Sequence, residues 1–240
     1  MRTETLTYAS DGVSMSSALC YEPGAERKPA VLVFPEIFGL GEHALTRARR
    51  LAELGYVALA CDLHGDRRLI MDMGQVMAFG GALREDLPRM RARGQAALQA
   101  LRARAEVDPE RIAAIGYCFG GTMALELARG GAHIVAVAGF HSGLATVAPQ
   151  DARNIRGKIL VCIGADDPGI PPEQRAAFEQ EMRAAKVNWQ MTVFGGVVHS
   201  FTNPAADKLG RPEFARYDAQ ADQRSWQQML ELFQEVFQKR

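Results

Sequence analysis

The chain has 240 residues, 48% of them hydrophobic and 23% charged, with 28 basic and 28 acidic side chains and a formal net charge of +0. That balance suits a single globular domain over residues 1–240 and offers no field that would gather nucleic acid or an anionic membrane. The first residues carry no apolar core of the signal-peptide kind, and no apolar run is long enough to span a bilayer, so a cytoplasmic protein is expected.

In chain order, residues 5–21 (TLTYASDGVSMSSALCY) alternate around an Asp-Gly pair and read as an antiparallel hairpin on one edge of a sheet. Nearly continuous apolar runs follow at 29–34, 56–62, 111–116, 133–139, 158–164 and 188–194. Runs of that kind read as strands covered on both faces. Helical patterns at 42–54, 85–104, 120–130, 172–185 and 221–238 lie between and after them. Strand alternating with helix requires crossover connections, so the predicted fold class is α/β, with a mostly parallel central sheet and helices on both faces. Two stretches stand outside this pattern. Residues 67–86 carry Met71, Met73, Met77 and Phe79 beside a glycine pair, and residues 202–222 form a long polar insertion. Insertions of this sort commonly wall a site, although a methionine stripe more often belongs to a core.

The four cysteines, Cys20, Cys61, Cys118 and Cys162, show no CxxC spacing, which argues against a zinc site and against a disulfide framework. Neither a metal nor a cofactor is expected. Three of the four lie in apolar strand-like runs and read as buried filler. Cys118 differs, because it stands in GYCFGG (116–121), just after a strand and just before a helix. Gly-x-nucleophile-x-Gly is the pattern of a nucleophile elbow, the sharp strand-to-helix turn of the α/β-hydrolase fold. Side chains in place of its glycines would collide across the turn, and the helix N-terminus suits an anionic sulfur. The amide of Phe119 would then face a developing oxyanion. A glycine-rich turn with an incidental cysteine is the plainer alternative, but the rest of the chain supplies the partners an elbow needs. Such a fold carries nucleophile, acid and histidine in that order. Asp166 and Asp167 follow the run at 158–164, and His199 lies in a loop after the run at 188–194. His133 and His141 come before both aspartates, which favours His199. Spacing alone leaves the two aspartates open, since either is also a natural cap for the following helix.

With those residues in hand, the chain resembles the dienelactone hydrolase (carboxymethylenebutenolidase) family of α/β-hydrolases over nearly its whole length. PEIFGL (35–40) is similar to the family's Glu-x-x-Gly segment, GYCFGG to its cysteine elbow, GADDPGIP (164–171) to its acid loop and HSF (199–201) to its histidine loop. The resemblance implies Cys118 as nucleophile, Asp167 rather than Asp166 as the acid, and His199 as the base. It also implies that Glu36 contacts the thiol and helps take its proton, with the amide of Ile37 as second oxyanion donor. It further implies a cysteine-dependent hydrolase of carboxylic esters or lactones, whose partner is a small molecule, working as a monomer or homodimer. A peptidase or acyltransferase on the same fold, or a silent binding module, are the alternatives. At residue 203, where the family carries an arginine for the substrate carboxylate, this chain has Asn203. The change removes a charge and a bidentate fork, which predicts a preference for neutral substrates unless Arg67, Arg68 or Arg84 restores the charge; Arg211 and Arg216 are further candidates.

Overall fold

The computed structural model describes residues 1–238. The predicted hairpin is formed by β1 (Arg2–Ser10) and β2 (Val13–Tyr21), paired antiparallel from Arg2↔Tyr21 to Ser10↔Val13. Asp11 and Gly12 turn it with φ of 54° and 69°, the left-handed pair a tight two-residue hairpin needs. The remaining strands are β3 (Lys28–Phe34), β4 (Val57–Ala60), β5 (Val107–Tyr117), β6 (Ala136–Phe140), β7 (Lys158–Gly164) and β8 (Trp189–Phe194). The helices are α1 (Glu42–Glu53), α2 (Met73–Glu85), α3 (Leu87–Arg102), α4 (Phe119–Arg129), α5 (Pro172–Ala184) and α6 (Ala219–Phe237). All eight strands join in one sheet of order β1-β2-β4-β3-β5-β6-β7-β8, parallel from β4 onward and antiparallel at the hairpin edge.

Period-two alternation along β3 sends Leu32 and Phe34 to one face and Val31 and Val33 to the other. The first face packs with Leu98 and Leu101 of α3, Leu125 of α4 and Phe178 of α5; the second packs with Leu51 of α1 and Trp226, Met229 and Phe233 of α6. Both faces being covered is why the parallel strands read as continuous apolar runs rather than alternating ones. Among the described residues, no helix is long and apolar enough to cross a membrane.

Two sequence expectations are corrected. Residues 73–85 form a helix of their own, α2, begun where Asp72 accepts from the amide of Gln75 at 2.8 Å, and the helix expected over 85–104 starts only after a break at Asp86. Its three glycines, Gly74, Gly80 and Gly81, had hidden its periodicity. Nor are the methionines there core: Met71, Met73 and Met77 are 67%, 52% and 55% exposed.

Candidate active site

β5 runs directly into α4, and Cys118 is the joint, with φ 54° and ψ −121°. A non-glycine residue held there is strained, and such strain persists only where the surroundings over-determine it. The three glycines of the motif are demanded sterically. A Cβ on Gly116 would strike the backbone of Gly120, one on Gly120 the carbonyls of Phe34 and Pro35, and one on Gly121 the hydroxyl of Ser142. The elbow is therefore pressed against the end of β3 on one side and the end of β6 on the other. Cys118 is partly exposed, whereas Cys20, Cys61 and Cys162 are buried.

The loops after β7 and β8 bring the acid and the histidine together. Asp167 is 2% exposed, and its Oδ2 accepts from His199 Nδ1 at 2.7 Å while its Oδ1 accepts from the Gly169 amide at 2.8 Å. Asp166 is exposed, and its amide donates to the Val197 carbonyl at 3.0 Å. Of the two aspartates that spacing left open, the structure thus sets Asp167 against the imidazole. With Nδ1 committed to Asp167, the other ring nitrogen of His199 is the one left to serve Cys118, whose sulfur acts on the imidazole charge. Burial alone would drain the charge from His199. The Cys118 sulfur and the Asp167 carboxylate together outweigh it, and the imidazole pKa is raised well above its ordinary value.

Glu36 follows β3 and is directed into the histidine loop. Its Oε1 accepts from Ser200 Oγ at 3.0 Å and its Oε2 from Asn203 Nδ2 at 2.6 Å, while His43 Nδ1 stands 4.0 Å from Oε2. Burial raises the Glu36 pKa, and those two donors offset it only in part. The expected contact with the thiol is absent from its hydrogen bonds among the described residues. Asn203 is accordingly the partner of Glu36, not an amide waiting for substrate. The amides of Ile37 and Phe119 donate to no protein acceptor among the described residues, and the Ile37 carbonyl accepts from His64 Nε2 at 2.8 Å.

The candidate arginines separate cleanly. Arg67 donates to Ser16 O at 2.7 Å, Thr5 Oγ1 at 3.0 Å and Ser17 O at 3.1 Å, which ties it to the hairpin. Arg68 is bound to the His64 carbonyl at 2.7 Å. Neither is turned to the thiol, so both leave the site. Arg211 and Arg216 are held by Glu213 and the Gly196 carbonyl, 3.7 and 3.2 Å away. Arg84 of α2 lies over the Phe119 ring, 5.0 Å from guanidinium carbon to ring centre, where desolvation lowers its pKa. It reaches there because Gly80, one turn earlier, leaves room beside Ile37. A cavity of about 230 Å³ opens against Glu36 and Ser200, walled by Phe38, Leu69, Met71 and Leu209. Sequence reasoning missed His43 and Thr202, and passed over His141; nothing in their spacing announces that they gather behind the elbow. Among the described residues, no group of three or more His, Cys, Asp or Glu is placed to hold a metal.

An elbow cysteine, an Asp–His pair and a carboxylate after the first parallel strand are the features by which the sequence resembled one family, and direct comparison agrees. The model of the dienelactone hydrolase family matches residues 16–237. The chain belongs to that family. A solved structure named m3DLH is 47% identical, with 98% of each chain covered and a TM-score of 0.93. A dienelactone hydrolase-like promiscuous phosphotriesterase from metagenomic libraries is 42% identical over 98% of each chain, with a TM-score of 0.92. A Bradyrhizobium protein named as a probable 2-oxo-3-(5-oxofuran-2-ylidene)propanoate lactonase is 29% identical over 84% of this chain and 86% of its own. The fold is that of the α/β-hydrolases, and the chain is a hydrolase of the dienelactone hydrolase family.

Proposed function

We propose that this hydrolase cleaves carboxylic esters or lactones through a Cys118–His199–Asp167 triad. The observation that carries the reading is Asp167 Oδ2 accepting from His199 Nδ1 at 2.7 Å, with Cys118 held at an elbow with φ 54° and its sulfur among the causes that raise the imidazole pKa. The sulfur of Cys118 attacks the acyl carbon, and the carbonyl oxygen gathers negative charge between the amides of Phe119 and Ile37. His199 holds the proton that left the sulfur and delivers it to the departing alkoxide, whose C–O bond breaks as the thioester forms. Water then adds to the thioester, giving its proton to His199, and sulfur departs to regenerate the thiol. Asp167 keeps Nδ1 protonated and steadies the imidazolium throughout. Glu36, made basic by burial, first takes the thiol proton when substrate displaces it from Ser200 and Asn203, and passes that same proton on to His199. Arg84, laid over the Phe119 ring and without an acidic partner among the described residues, receives a carboxylate on the acyl side where Asn203 cannot.

The test is hydrolysis of p-nitrophenyl esters and small lactones, beside protein treated with iodoacetamide. Expected are loss of activity with carboxamidomethylation of Cys118 before the buried cysteines, and an acyl group trapped on Cys118 in acid-quenched turnover. Unchanged hydrolysis by Cys118→Ala would overturn the reading.

A further inference from the structure

Behind the elbow lies a second imidazole that the triad does not use. His141 follows β6, is 0% exposed, and holds φ at 41°, in the left-handed region where non-glycine residues are uncommon. The turn carries its ring back under the nucleophile: Nδ1 lies 3.1 Å from the Cys118 amide nitrogen, which also donates to Phe140 O at 3.0 Å. An amide can only donate, so Nδ1 presents its lone pair and the ring proton sits on Nε2. Nε2–H in turn donates to Thr202 Oγ1 at 2.8 Å. Thr202 belongs to the histidine loop, and its own carbonyl is gripped by Arg47 Nη2 at 2.6 Å, with Arg47 locked to Asp222 at 2.8 and 2.9 Å. The ring meets that of His199 edge-on at 5.1 Å and that of Phe201 at 5.2 Å.

We propose that His141 is a positioning residue that clamps the nucleophile elbow to the histidine loop, fixing Cys118 relative to His199. One ring nitrogen holds the peptide that precedes the sulfur-bearing carbon, and the other holds the loop that carries the base. The same peptide sets the direction of the next amide, that of Phe119, so a slack elbow also misaims the oxyanion donor. The clamp works only with a neutral ring, since a proton on Nδ1 would set two donors face to face. The surroundings keep it neutral: burial foremost, then His199, His43 and Arg47, which face it from the loop after β8 and from α1.

The proposal rests on Cys118 being the nucleophile, and its test is separable from that premise because alkylation of the thiol needs no ester. In His141→Asn the side-chain oxygen stands close to the position of Nδ1 and still accepts from the Cys118 amide. In His141→Gln the amide reaches Thr202 and abandons the elbow, and His141→Leu loses both. Expected for Gln and Leu is a fall in kcat of about 10²-fold with KM nearly unchanged, the usual effect of displacing a reacting group by about 1 Å. Their pH profile of iodoacetamide reaction at Cys118 should move upward, as the thiol loses its imidazole partner. Asn keeps the elbow but releases Thr202, so it should fall in the same direction as Gln and Leu, though less far, because the Cys118 amide keeps its acceptor. If Asn keeps the parent kcat and profile, the bridge to Thr202 contributes nothing and the clamp is refuted. If all the variants keep the parent alkylation profile and lose only thermal stability, His141 is a packing residue and the proposal fails. Unaltered ester turnover by Cys118→Ala would instead remove the premise. Should the leucine variant not fold, the Asn and Gln pair decides the matter alone.

Discussion

The loops after β3 and β7 each set a carboxylate at the C-terminal edge of the sheet, Glu36 half-buried and Asp167 buried, yet they treat it in opposite ways. Asp167 faces an imidazole at 2.7 Å and a backbone amide at 2.8 Å, so its charge has a titratable counterpart. Glu36 faces a hydroxyl and a carboxamide, both neutral, and its pKa is pushed upward by burial. Unequal partners divide the labour: Asp167 serves as an anchor for the imidazole, and Glu36 becomes a group that readily takes up a proton. Asn203, standing where the resembled family carries an arginine, binds the Glu36 carboxylate without adding a cation beside it.

The sharpest way to break that comparison is to neutralise the anchor. Asp167→Asn should lower kcat by about 10⁴-fold, because the imidazole loses control of its tautomer and its counter-charge together. Asp166→Asn, altering an exposed side chain, should stay within about threefold of the parent in the same assay. Comparable losses in both would return the acid assignment to the ambiguity that spacing left.

Neutralising the other carboxylate should do less to turnover and something different to stability. Glu36→Gln should lower kcat/KM by about 10²-fold, the scale of a lost proton acceptor. Its folded-state pKa lies above the ordinary glutamate value of 4.5, so folding favours the protonated form. At pH below that value the side chain is neutral folded or unfolded, and burial carries no charge penalty. As the pH rises through the unfolded and then the folded pKa, the penalty grows to its full extent. The glutamine variant should therefore melt higher than the parent at pH 8, with the difference vanishing as the pH falls below 4.5. A variant that melts lower at pH 8 would show that Ser200 and Asn203 stabilise the charge after all. Thermal melts at several pH values decide it.

How much of this was readable beforehand follows from what fixes each feature. The elbow, the order of nucleophile, acid and histidine, and the strand runs are local: GYCFGG is dictated by backbone that nearly touches across a turn, and apolar runs by a sheet covered on both sides. The register that favoured Asp167 came through resemblance, since spacing alone could not separate it from Asp166. The wall of the site was not legible. Arg67, Arg68 and Arg84 look alike in sequence, and only tertiary contacts show that the hairpin captures Arg67, a loop carbonyl captures Arg68, and the absence of a side chain at Gly80 admits Arg84 to the Phe119 ring. His141 was likewise invisible, because its role depends on a left-handed φ and on a partner at Thr202, far away in the chain.

The smallest expected effect sharpens the contrast between these arginines. Arg84→Met keeps the length of the side chain and its contact with Phe119 while removing the cation. For a lactone that bears a free carboxylate on the acyl side, kcat/KM should fall about tenfold; for its methyl ester, by less than about threefold. A charge-assisted hydrogen bond shielded from water contributes about 1.5–3 kcal/mol, and a fully exposed ion pair about 0–1 kcal/mol. Arg84 lies between these limits, its guanidinium laid against an aromatic ring but its side chain open to solvent. About 1.4 kcal/mol, or one decade, follows from that position. Arg67→Met should not change the ratio between acid and ester, since Arg67 is spent on Ser16, Ser17 and Thr5. If acid and ester fall equally in Arg84→Met, the guanidinium acts on the nucleophile or the oxyanion common to both substrates, and not on the carboxylate.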